Sequence, residues 1–303
     1  DAEHVTMLQR SPTYIASIPE VDPISVKLRK FLPEMVVYRM ARTRNIGLQR
    51  FVYKMSQEKP KVMRRFLLGL VKKQIGPNVD MKHFEPSYNP WDQRLCAVPR
   101  GDLFKTLRRG DASMVTDHID TFTEKGIRVK SGEEIEADII ISATGLNLLM
   151  LGGIEGTVDG EKVDPNDTLV YKGVMLRDVP NMAMVFGYTN SSWTLKADLA
   201  SEFVCRVLNH MKETGAKQVT PRDVEGCDTD DNFLGLTSGY VVRASEHLPR
   251  QGKRDPWRVL NNYLHDLPAL RYGKLNDDEL EFSQFGSDKK KSRKGLLSSV
   301  LGT

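Results

Sequence analysis

The run Val5-Thr6-Met7-Leu8-Gln9-Arg10-Ser11-Pro12 constrains this chain most. It predicts a buried strand that delivers an arginine and a hydroxyl to its C-terminal end. In a dinucleotide-binding sheet that position meets the adenosine ribose, where an acidic residue favours NAD and an arginine accommodates the extra phosphate of NADP. Arg10 can offer a paired, charge-assisted contact and Ser11 one hydrogen bond. Without that context the two are polar side chains at the solvent end of a strand. The run predicts a chain that begins partway through a nucleotide-binding domain.

A Rossmann unit carries G-x-G-x-x-G between its first strand and helix. No two of the 23 glycines here are separated by a single residue, and residue 1 is aspartate. Two readings follow: the chain is not a Rossmann protein, or it is a C-terminal piece of a longer enzyme. The later segments fit the second.

With 303 residues the chain can bury a sizeable core. No apolar run approaches the roughly 20 residues that span a bilayer. The three cysteines, Cys96, Cys205 and Cys227, form no C-x-x-C pair. They suit a reducing cytoplasm and argue against a zinc site or a disulfide framework, so no metal is expected.

Charge is unevenly spread. Between Lys27 and Lys73 stand 14 Lys/Arg against two acids, Glu34 and Glu58. Lys289 to Lys291 with Arg293 and Lys294 form a second basic cluster. Such patches can bind nucleic acid or anionic lipid, but solvated helix faces and a disordered tail are the commoner origin of such runs. From about Phe282 onward Ser, Gly and Lys dominate, which predicts disorder.

Residues 25–75 carry apolar residues at helical spacing: Leu28, Phe31/Leu32 and Met35/Val36; Leu48, Phe51/Val52 and Met55; Val62/Met63, Phe66/Leu67 and Leu70/Val71. Pro60 suits a first helical turn, and Gly76-Pro77-Asn78 stops the pattern. These are amphipathic helices with basic outer faces. Residues 112–119 have strand character, and Phe122 to Lys130 reads as a hairpin turning at Glu124-Lys125-Gly126. Ala137 to Gly145 has the continuous apolar core of a strand covered on both faces. Thr144-Gly145 would end it with little bulk, allowing close approach of a ligand or making an ordinary glycine turn. Met182 to Phe186 predicts a strand running into Gly187 to Trp193. A long helix follows, with Leu195, Leu199, Phe203, Val207 and Met211 on one face, ending near Gly215. Asn190, Ser191 or Ser192 could cap it, and a strand, a polar turn and a helix N-terminus together form an anion- or carbonyl-binding corner.

Val5 to Thr13, Asn89 to Cys96 (Asn-Pro-Trp-Asp-Gln-Arg-Leu-Cys), Asp138 to Gly145 and Gly187 to Thr194 occur in this order in flavin-dependent Baeyer–Villiger monooxygenases. The chain resembles them from residue 1 to about 270, and most resembles the ethionamide-activating type. The resemblance implies an α/β fold: a partial, Rossmann-like flavoprotein of two dinucleotide-binding domains with a helical insertion. It divides the chain into an NADP-binding remainder at 1–19 and 88–145, an insertion at 20–87, the C-terminal part of an FAD-binding domain at 146–282, and a disordered basic tail at 283–303. The family's two glycine motifs, and its fingerprint of Phe, Gly, His and Trp between them, have no counterpart here.

The implied cofactors are FAD and NADP. The implied partners are molecular oxygen and a small ketone or thioether, with peripheral membrane contact possible and no nucleic acid expected. By position in the resemblance, Arg94 is the fixed cation that steadies flavin-bound oxygen; a guanidinium stays ionised and offers a planar fork of donors. Without the family context Arg94 reads as a surface salt bridge beside Asp92. Many members place lysine just before that arginine, where this chain has Gln93, a neutral donor. That shifts phosphate recognition towards Arg10 and Ser11. Thr144 and Gly145 are expected where the chain crosses between domains, and Asn190 and Trp193 near the flavin ring. Trp257 is either a substrate-side aromatic or a buried one without a functional role.

Overall fold

The computed structural model describes residues 2–93, 95–230, 234 and 236–284. Arg94 and the basic cluster at 289–294 therefore lie outside the described residues. Two compact units make up the chain: Asp1–Leu146 with Leu236–Ser238, and Asn147–Gly235 with Gly239–Thr303.

The first unit contains β1 (Val5–Gln9), β2 (Ile15–Ile18), α1 (Pro23–Leu28), α2 (Glu34–Glu58), α3 (Pro60–Ile75), β3 (Cys96–Pro99), α4 (Asp102–Arg109), β4 (Ala112–Thr116), β5 (Ile119–Phe122), β6 (Gly126–Val129) and β7 (Glu134–Glu136). β1 runs parallel to β4, with Val5 opposite Ala112, and β2 runs parallel to β3, with Ile15 opposite Cys96. Parallel pairs need long crossovers, and here helices supply them. The core joins Ile15 of β2, Val71 and Ile75 of α3, Phe84, and Phe104 and Leu107 of α4. Pro60 opens α3 and Gly76, at φ +78°, closes it, as the sequence predicts. β5, β6 and β7 form an antiparallel meander, and the first hairpin turns at Thr123 to Lys125.

The second unit contains β8 (Thr157–Val158), β9 (Glu161–Lys162), β10 (Val170–Tyr171), β11 (Met175–Leu176), α5 (Trp193–Thr214), β12 (Gln218–Pro221), β13 (Thr229–Asp230), α6 (Gly239–Ala244), β14 (Gln251–Gly252), α7 (Tyr263–Arg271) and β15 (Leu280–Ser283). α5 is its organising element. Leu199, Phe203 and Val207 are buried against Tyr171, Trp257, Leu270 and Leu280, and Met211 packs at the margin. Gly215 terminates α5 in the left-handed conformation at φ +73°. β15 reaches Ser283, one residue into the stretch expected to be tail, while residues 285–303 are outside the described set.

Three expectations are corrected. β1 is half open rather than buried, with Val5 53% and Met7 37% exposed, because only β4 pairs with it among the described residues. Ala137–Gly145 forms no strand, and Ile139 and Ile141 stand 81% and 87% exposed. Met182–Phe186 likewise pairs with nothing regular among the described residues, although Met184 is buried. Both are apolar segments with strand composition but no neighbouring strand to complete their hydrogen bonds. In α3 the apolar doublets split. Met63, Leu67 and Val71 enter the core, while Val62, Phe66 and Leu70 face outward, because adjacent residues lie about 100° apart around a helix.

Candidate functional site

In the first unit the expected anion-binding residues stand at the C-terminal end of the β1–β4 parallel pair. Arg10 and Ser11 follow β1 directly and are exposed. Neither side chain makes a hydrogen bond or ion pair among the described residues, so the guanidinium is free to take a ligand. The end of the pair is held by a polar cluster. Gln9 Nε2 donates to Thr116 Oγ1 at 2.8 Å and to the His83 carbonyl at 2.7 Å. His83 Nδ1 lies 2.7 Å from the same Thr116 hydroxyl. Burial, reinforced by the nearby Lys82 ammonium, holds the His83 pKa below the ordinary imidazole value and favours the neutral ring.

The loop that leads to Gln93 is anchored beside the segment after Ser11. Tyr88 donates to Thr13 Oγ1 at 2.8 Å, Tyr14 donates to the Tyr88 carbonyl at 2.8 Å, and the two rings meet edge to face at 5.6 Å. Arg64 of α3 closes the arrangement, donating to the Tyr14 hydroxyl at 2.7 Å and to the Pro86 carbonyl. Burial raises the Tyr14 pKa, which the Arg64 hydrogen bond and charge partly offset. Burial also raises that of Tyr88. The fold thus brings the Arg10 strand and the Gln93 loop into one supported region. Gln93 is half-buried there in a bridge with Pro90. Beside it Trp91 adopts φ +70°, strained for a non-glycine, and its buried Nε1 has no partner among the described residues. Arg94 lies outside the described residues. Thr144 and Gly145 belong to the same unit and are exposed. Gly145 has φ +115°, and no atom lies within 4 Å of where its Cβ would stand. Its backbone is therefore open to close approach.

In the second unit the turn before α5 is built tightly. A Cβ on Gly187 would overlap the Trp193 indole, so only glycine fits beneath that ring. Trp193 is the first residue of α5 and 49% exposed. Ser192 occupies the N-cap position, but its hydroxyl meets Thr194 Oγ1 at 2.9 Å instead of capping a backbone N–H. Asn190 is buried and donates to the Asn261 carbonyl at 2.9 Å. Trp257 is fully buried and stacks edge to face on Tyr171 at 5.5 Å, so it belongs to the core.

Sequence reading missed the strongest polar feature of this unit. Lys196, on the buried face of α5, donates to Asp266 Oδ2 at 2.6 Å, and Tyr188 donates to the same oxygen at 2.8 Å. Lys196 is 4% and Asp266 8% exposed. Burial, then the Asp266 charge, raises the Tyr188 pKa far above its ordinary value. The network fixes the turn from Gly187 to Ser192 against α7. A lysine in an apolar helix face was the available signal, but its partner lies 70 residues away.

No protein-family profile matches the chain. The probable FAD-binding monooxygenase AlmA of Acinetobacter baylyi is 55% identical over 284 residues, covering 93% of this chain and 57% of that protein. The putative FAD-containing monooxygenase MymA of Mycobacterium tuberculosis is 53% identical, covering 95% of this chain and 58% of its own length. The FAD-containing monooxygenase EthA of the same organism is 51% identical, covering 93% and 58%. Over the length it spans, this chain is similar to FAD-containing monooxygenases. It spans less than two thirds of the length of these relatives. Its fold is that of solved flavoprotein monooxygenases. A steroid monooxygenase bound to NADP matches with TM-score 0.66 at 15% identity, over 93% of this chain and 63% of that one. The FAD-bound form of OTEMO matches with TM-score 0.60 at 15% identity over the same shares.

Proposed function

We propose that this chain supplies the nicotinamide side and the C-terminal flavin side of an FAD- and NADPH-dependent monooxygenase. Its reaction is Baeyer–Villiger oxidation, the insertion of one atom of O2 beside a ketone carbonyl to give an ester or lactone, with S-oxygenation of a thioether as a second outcome. In this reading the first unit carries the NADP-binding remainder (1–19 and 88–145) and the helical insertion (20–87), and residues 146–282 are flavin-side. The three unbridged cysteines suit the reducing cytoplasm in which we place the protein.

The observation that carries the reading is Arg10, exposed and unpartnered among the described residues at the C-terminal end of a parallel strand pair. That is where an adenosine 2′-phosphate is met in dinucleotide-binding sheets. Arg10 and Ser11 hold the phosphate, with Gln93 adding a neutral donor. Arg94 supplies fixed positive charge where negative charge develops on oxygen. Thr144 and the open backbone of Gly145 let the cofactor approach closely, and Asn190 and Trp193 border the flavin ring. When bound, FAD supplies hydride acceptance and oxygen activation. The residues of this chain bind, orient and balance charge.

The test is purification of the gene product, with any coding sequence in frame upstream of Asp1, followed by its absorbance and its turnover of NADPH with a ketone or a thioether. A flavin absorbance band and NADPH-dependent ester, lactone or sulfoxide are expected. A colourless protein inert to NADPH overturns the reading. Arg94→Ala is expected to abolish oxygenated product while flavin reduction by NADPH persists, and an unchanged product yield removes Arg94 from this role.

A further inference from the structure

α3 carries two apolar stripes, and the fold of its unit uses only one of them. Met63, Leu67, Val71 and Ile75 are at most 6% exposed and complete the core. Val62, Phe66 and Leu70 recur every fourth residue beside that stripe and are 54%, 57% and 38% exposed. With about 100° between successive residues, Arg65 and Lys72 fall on the far side of this second stripe and Lys73 falls within it. All three cations are exposed and have no acidic partner among the described residues. Passing round the helix, the order is core, outer apolar stripe, cations.

α2 also sets exposed apolar residues beside cations, of which Lys54 pairs with Glu58 at 3.6 Å. Val36, Met40 and Phe51 are 41%, 48% and 60% exposed, and Arg39, Arg50 and Lys54 project from the same side of the helix. This apolar surface lies in the segment where 14 Lys/Arg face two acids.

We propose that the outer face of α2 and α3, centred on Val62, Phe66 and Leu70, docks onto the surface of an anionic phospholipid bilayer. The charge pattern selects this occupant. Long cationic side chains beside an apolar wedge reach headgroup phosphates while their stems and the wedge enter the acyl boundary. A second copy of the chain would bring like charge against like charge. Nucleic acid would match the cations but leave Val62, Phe66 and Leu70 without an apolar partner. Among the described residues no helix is long and apolar enough to cross a membrane, so the contact is peripheral. The proposal does not rest on the redox function.

The test is vesicle flotation of this chain at low and physiological salt, with phosphatidylcholine alone and with equal parts phosphatidylcholine and phosphatidylglycerol. Binding to the anionic vesicles alone, weakened by salt, is expected. Each charge reversal in Lys72→Glu/Lys73→Glu is expected to weaken it about fivefold or more. Phe66→Asp, at an exposed position that leaves the core intact, is expected to weaken it roughly tenfold or more. Phe66→Trp is expected to shift its emission to the blue on anionic vesicles and not on duplex DNA. Absence of binding to anionic vesicles overturns the proposal. So does binding that Phe66→Asp leaves unchanged, tighter binding to duplex DNA, or a solution dimer that buries residue 66.

Discussion

Removing the Asp266 carboxylate tests the second unit where it is most committed. Asp266→Ala leaves the Lys196 ammonium, 4% exposed, with the Lys172 carbonyl at 3.4 Å as its acceptor among the described residues, and leaves the buried Tyr188 hydroxyl without the Asp266 acceptor. Breaking a buried ion pair from one side costs about 3–5 kcal/mol, because the remaining charge stays desolvated. That is a large share of the roughly 5–15 kcal/mol that holds a domain together. The exposed Lys54–Glu58 pair on α2, at 3.6 Å, contributes about 0.3–0.5 kcal/mol by comparison. The double variant Asp266→Leu/Lys196→Met removes both charges and is expected to recover most of the loss. Urea unfolding followed by tryptophan fluorescence measures all of these. A loss below about 1 kcal/mol for Asp266→Ala, or a double variant no more stable than the single one, refutes the reasoning.

Three further outcomes follow from the geometry. Gly187→Ala is expected to displace the Trp193 indole, red-shifting its emission and costing about 1–3 kcal/mol; an unchanged spectrum and stability contradict the tight turn. His83 is expected to titrate below the ordinary imidazole pKa of about 6.5 by NMR. Since the folded state resists protonation there, its contribution is present above that pH and lost as pH falls through the folded pKa, and His83→Gln should flatten this acid limb. Arg64→Ala is expected to cost about 1.5–3 kcal/mol and to loosen the Tyr14–Tyr88 contact in the ring-proton NMR spectrum; unchanged ring signals contradict the anchoring role.

Features set by local chemistry were legible in the sequence. Pro60 and Gly76 bracket α3, Gly215 ends α5, and the turn after Phe122 makes a hairpin, because each depends on a few neighbouring residues. The apolar stripe of α5 was legible because a core filled by its own unit enforces strict helical periodicity. The doublets of α3 were ambiguous, since periodicity alone does not say which of two adjacent apolar residues turns inward. Ala137–Gly145 and Met182–Phe186 have strand composition, but a strand exists only with a hydrogen-bonded neighbour, which composition does not report. In the candidate site, Arg10 and Ser11 were placed by their position after β1. Tyr14, Arg64 and Tyr88, which support that region, come from a strand, a helix and a loop, and only folding joins them. The Lys196–Asp266 pair was hidden for the same reason.

The central claim is that Arg10 recognises the phosphate that distinguishes NADPH from NADH. Titration of both nucleotides into the flavin-loaded protein and its Arg10→Ala variant measures it directly. Loss of charge-assisted hydrogen bonds worth about 1.5–3 kcal/mol predicts NADPH affinity roughly tenfold to 150-fold weaker, with NADH affinity nearly unchanged. Equal weakening of both nucleotides, or no weakening of either, contradicts the account.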